Sequence, residues 1–172
     1  MTLAQLAKEA AIARPLIRHH AGNREEIVQY VVDRFVVTSR NKLDRLIGSL
    51  PLKDPLYFLI DMLFDEKYSD PHVVLLAEAL IAGSAHDETL MKVMHNWIEQ
   101  FRAEVGAVVS AQFPSATKRQ ARAVASGVIG IYFNVDSMSP MGEVKGLRKS
   151  SKDAALMLAD WLSHNARSTS GI

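Results

Sequence analysis

The chain has 172 residues, 48% hydrophobic and 23% charged, with no cysteine and a formal net charge of +1. That size and apolar content fit one globular domain, or a small module fused to a larger one, and the lack of cysteine excludes disulfides, thiol nucleophiles and thiolate metal sites. The small net charge hides a segregation: residues 1–50 carry eight basic against five acidic side chains, residues 51–110 four against ten, and residues 111–172 eight against four.

The opening run "MTLAQLAKEA" has no basic stretch followed by an apolar core, so no signal peptide is expected. Thr2 with Gln5 forms a capping box, and a helix is predicted from the second residue. Leu3, Leu6, Ala7 and Ala10 give it an apolar face. Ile12 and Ile17 supply packing residues for a turn and a second, short helix, in whose first turn Pro15 sits without losing a hydrogen bond. Residues 3–20 thus read as a helix-turn-helix. Its second helix turns Arg14, Arg18 and His19 outward, donors suited to phosphates and base edges in a major groove. His19 and His20 point about 100° apart on a helix, so they are not expected to share a metal ion.

Gly22-Asn23 ends that motif, and Asn23 with Glu26 repeats the capping signature. The free N–H groups there, with Arg24, make an anion site for a phosphate. A long helix is predicted from Arg24 to about Leu50, although the β-branched run "FVVTS" works against its continuity. Asp54-Pro55 and Asp70-Pro71 each pair an N-cap acid with a proline at the first helical position, opening nearly all-apolar helices over about 55–67 and 71–84. The next helix runs from about Asp87 to Gln112, with Leu90, Met94, Trp97, Ile98, Phe101, Val105 and Val108 on one face. Thr117 and Gln120 cap a helix over about 118–135, "SMSPMGEVKG" is a loop, and residues 146–165 form the last helix. The expected fold is all-α, with about nine helices and no strand. The apolar runs are too short or too interrupted to span a bilayer, so a soluble, cytoplasmic protein is expected.

Phe35, Phe58, Met62, Met94, Trp97, Phe101 and Tyr132 either line a ligand pocket or fill the core. Asp61 interrupts "YFLIDMLF", and a carboxylate in so apolar a helix needs a partner: a local pair or a polar ligand group. In "RAVASGVIGIYF", Ala123, Gly127 and Ile131 form one small-residue stripe and Ser126 and Gly130 the next, letting another helix approach closely within the monomer or across a dimer axis. No Gly-rich phosphate loop, nucleophile elbow or H-E-x-x-H motif is present, and His72, His86 and His95 are scattered, so neither catalysis nor a metal or other cofactor is expected.

The run from Thr2 to about Phe35 resembles the second half of the DNA-binding domain of tetracycline-repressor-like (TetR) transcriptional regulators. Thr2, Ala7, Ile12, Arg14, Ile17, His20, Arg24, Glu25 and Ile27 fall on positions of that motif. Ala11 stands where the family usually has glycine, Arg18 replaces a tyrosine, and Ala21 a phenylalanine. The resemblance begins at the family's second helix, so either upstream residues supply the first or the head is degenerate. It implies a DNA-binding region over 1–35 and a ligand-sensing, dimerising domain over 36–172. Arg14, Pro15, Arg18 and His19 would enter the major groove, with Thr2 and Arg24 on phosphates. The seven apolar candidates and Asp61 would surround a small effector. The last two helices, with Leu158 and Leu162 beside the small-residue stripes, would pair as a four-helix bundle. The implied function is a homodimeric repressor of double-stranded operator DNA, released by a small apolar ligand. The alternative is a dimeric ligand- or partner-binding protein that has lost DNA binding, and a small-molecule enzyme built on the bundle is a further one.

Overall fold

The computed structural model of the chain describes residues 24–142 and 144–167. They form six α-helices and two single-turn 3-10 helices, with no strand among them: α1 (Arg24–Gly48), α2 (Pro55–Leu63), α3 (Pro71–Ser84), α4 (Glu88–Gln112), α5 (Lys118–Ser137) and α6 (Leu147–Arg167). The 3-10 turns are Glu66–Tyr68 and Ser139–Met141. The described residues hold six α-helices against the about nine expected; the two expected before Arg24 lie outside them. No helix among the described residues is long and apolar enough to cross a membrane.

Local chemistry accounts for most boundaries. Asp70 accepts from the His72 amide at 3.0 Å and Asp87 from the Leu90 amide at 3.0 Å, each capping its helix. At Thr117 the capping box is complete: its Oγ1 accepts from the Gln120 amide at 3.2 Å, and the Gln120 carboxamide oxygen accepts from the Thr117 amide at 2.9 Å. Asp54 corrects the sequence expectation. It lies in the left-handed region at φ 55°, with no side-chain hydrogen bond to the helix it precedes. The Leu56 amide is instead satisfied at 2.7 Å by Gln112, from the far end of α4. The predicted 55–67 helix also ends early, at Leu63, and the chain re-forms as the 3-10 turn after Asp65.

α1 runs unbroken through Val36-Val37-Thr38. Helix propensity disfavours such a run by only tenths of a kcal/mol per residue, while Val31, Val32 and Phe35 are all buried there. Burying one such side chain is worth about 1.5–3 kcal/mol, so tertiary packing wins.

Among the described residues, the buried apolar side chains fall into two clusters. The larger gathers α2, the C-terminal half of α4, α5 and α6 around Leu56, Leu59, Ile60, Val105, Val109, Val128 and Leu162. The smaller joins α1, α3 and the N-terminal half of α4 through Val31, Val32, Phe35, Leu76, Leu80, Leu90 and Met94. α1 and α4 reach both, contributing Leu46 and Val105 to one and Phe35 and Met94 to the other.

Candidate ligand cavity

Where the two clusters meet, packing is incomplete and leaves a cavity of about 190 Å³ lined by residues of α1 to α5 and the 3-10 turn after α2. α1 contributes Phe35, Thr38, Ser39, Lys42, Leu43 and Leu46, spaced three or four residues apart down one side of the helix. An aromatic chain forms one wall. Phe35 meets Trp97 at 5.1 Å, Trp97 stacks on Phe133 at 5.6 Å, and Phe133 meets Phe101 at 5.3 Å and Tyr132 at 5.5 Å. These are ordinary separations for attractive ring pairs, so the rings of the wall pack favourably on one another. The Trp97 indole N–H is spent on Ser39 Oγ at 2.9 Å, which ties α4 to α1.

Asp136 is the one charged residue that is buried among the described residues, at 7% exposure, and it lies on the cavity wall. Its carboxylate accepts from Ser69 Oγ at 2.5 Å and from the Tyr132 hydroxyl at 3.1 Å, and Arg148 Nη2 stands 3.8 Å away. Burial, followed by the neighbouring Asp136 charge and hydrogen bond, pushes the Tyr132 phenol well above the ordinary tyrosine range. Lys42 donates from its ammonium to the Tyr68 carbonyl. Asp70 and Glu78, both exposed, complete the polar rim.

Of the eight ligand candidates read from the sequence, Phe35, Met62, Trp97, Phe101 and Tyr132 line this cavity. Three do not. Phe58 faces away at 43% exposure, and Met94 is packed inside the smaller cluster. Asp61 is exposed and pairs with Lys152 at 2.8 Å, linking α2 to α6. The buried acid on the cavity wall is Asp136, and its signal was the same one that drew attention to Asp61: a carboxylate closing an apolar helical run, "GVIGIYFNVD". Lys42, Tyr68 and Phe133 were also missed, since only the fold brings α1, the 3-10 turn and α5 together.

The dimerisation candidates divide as well. Leu162 is 0% exposed, buried in the larger cluster, and is unavailable to a partner. Gly127 and Leu158 meet each other within the chain: a Cβ at position 127 would lie 2.7 Å from Leu158 Cδ1, so glycine there lets α5 and α6 approach. Ile131 is half-buried against the core. Ala123, Ser126 and Gly130 are exposed on α5. On α6, Met157 and Trp161 are 68% and 50% exposed.

Thr2, Arg14, Pro15, Arg18 and His19 lie outside the described residues. Arg24 is the first residue of α1. Among the described residues, no group of three or more His, Asp or Glu side chains could hold a metal ion. Comparisons with protein-family models, curated proteins and solved structures return no match to this chain.

Proposed function

We propose that the protein is a ligand-responsive, DNA-binding transcriptional regulator of the TetR type, acting as a cytoplasmic homodimer. The observation that carries this is the relation between the cavity and α1. The helix that lines the cavity along about three turns begins at Arg24, shortly after the segment whose residues 3–20 read as a helix-turn-helix. A ligand that shifts α1 at Phe35 to Leu46 would therefore move whatever its N-terminal end holds. Two heads on one dimer would read half-sites about one helical turn apart, and a ligand preferring one head spacing would shift the population between two dimer states. With the two helices expected before Arg24, the chain would fall into a DNA-binding region over 1–35 and a sensing and dimerising domain over 36–172.

The dimer is supported by the outer face of α5 and α6. Ala123 and Gly130 flank Gly127 along α5, and Ala154 and Trp161 flank Leu158 along α6, so the intrachain Gly127–Leu158 contact runs out into an exposed small-and-apolar face with Met157 at its edge. Such a face suits helix-on-helix pairing across a two-fold axis.

The test is binding of the full chain to duplex DNA, first the sequence beside its own gene and then a randomised pool, across a salt series. A specific complex whose log K falls steeply with log salt is expected, because Arg14, Arg18 and Arg24 would displace counterions from phosphates. A folded, dimeric chain that selects no sequence would leave the alternative, a ligand- or partner-binding dimer without DNA.

A further inference from the structure

The cavity's chemistry narrows what can occupy it, and this step rests on the ligand-responsive reading of that cavity. Its size is the first limit. An engineered 150 Å³ apolar cavity holds benzene, so about 190 Å³ suits one ring with a short substituent. Its lining is the second. Six aromatic rings contribute to the walls: Phe35, Tyr68, Trp97, Phe101, Tyr132 and Phe133. Ring faces carry negative charge and attract a cation held within about 6 Å of them.

Charge is the third limit. The cavity and its rim hold three carboxylates, Asp70, Glu78 and Asp136, against one ammonium, Lys42. Arg148 stands 3.8 Å from Asp136, which leaves Lys42 as the one cation among the lining residues against two rim carboxylates, Asp70, which also caps α3, and Glu78. Lys42 also bonds to the Tyr68 carbonyl. An organic anion would meet net repulsion there, while an ammonium would meet both carboxylates and ring faces in a site partly shielded from water, where such attractions are stronger. We infer that the cavity takes a compact lipophilic cation: a single-ring amine whose ring packs against the Trp97–Phe133 wall and whose ammonium faces Glu78 at the rim.

The experiment uses the full chain and a matched set of probes: phenethylammonium, propylbenzene, phenylacetate and the two-ring biphenylmethylammonium. Calorimetry and tryptophan fluorescence report affinity. Phenethylammonium is expected to bind at least tenfold more tightly than phenylacetate and more tightly than propylbenzene, and the two-ring amine more weakly than the one-ring amine. Glu78→Gln, on an exposed helical position where folding is not at stake, should reduce the amine's advantage over phenylacetate several-fold. Ala77→Leu, which fills the cavity, should abolish binding. Equal or tighter binding of phenylacetate, an amine preference untouched by Glu78→Gln, or no binding by any probe overturns the inference. Its fate is separable from that of the regulator: phenethylammonium that binds as expected without altering DNA affinity sinks the regulator alone. A carboxylate that binds best and releases DNA sinks the amine alone.

Discussion

Asp136 holds two helices and a turn in register through one carboxylate, because it reaches Ser69 beside the 3-10 turn after α2, Tyr132 on its own helix α5 and Arg148 at the start of α6. Arg148 Nη1 is buried without a hydrogen-bond partner among the described residues, and its other carboxylate contact, Glu66, is 4.0 Å away. Replacing Asp136 by alanine would strand a largely buried guanidinium, and a loss of about 3 kcal/mol is expected in urea unfolding. Tyr132→Phe removes one hydrogen bond to that carboxylate and should cost about 1–1.5 kcal/mol; a neutral result would mean that the Asp136 network does not stabilise the fold. Asp61 and Asp136 also mark the limit of what residues reveal in sequence. Both interrupt apolar helical runs, and the rule that such a carboxylate needs a partner holds for each. Which partner it finds, Lys152 in one case and the cavity wall in the other, depends on helices about 90 residues away or on a turn about 70 residues upstream.

At the scale of elements, α5 offers a paired comparison. Gly130 has open space where a Cβ would go, so Gly130→Ala should stabilise the protomer by about 0.5–1 kcal/mol through helix propensity alone. Gly127→Ala must push Leu158 aside and should gain markedly less. Equal gains in thermal unfolding would mean that α5 and α6 are not in close contact. Tyr57 on α2 donates to Asp160 on α6 at 2.7 Å, and burial followed by that bond raises its phenol from 10.0 to about 12. A phenol whose folded value is raised stabilises the native state below its unfolded value and loses that contribution as pH rises through the folded one. Stability should therefore fall from about pH 10 to pH 12, and Tyr57→Phe should flatten part of that fall. The element boundaries themselves were mostly legible, because Asp70, Asp87 and Thr117 cap their own helices through bonds spanning two or three residues. Asp54 was not, since the group that satisfies the start of α2 is Gln112, 56 positions on.

At the scale of the whole molecule, the described residues form two partly merged cores with a cavity at their seam, spanned by α1 and α4. The all-α class followed from helical periodicity and caps, whereas the seam arises from how α1, α3 and α5 are brought together, which no local pattern encodes. If the exposed α5–α6 face pairs two protomers, Trp161→Glu should give a folded monomer by light scattering at concentrations where the unaltered chain is dimeric. The central claim is that cavity and DNA report on each other. Its most direct test is the dissociation constant of a selected duplex, measured by fluorescence anisotropy with and without a saturating cavity ligand. Coupling through α1 predicts a change of at least about fivefold, matched by an equal change in ligand affinity when DNA is bound. The same duplex affinity in both conditions would contradict it.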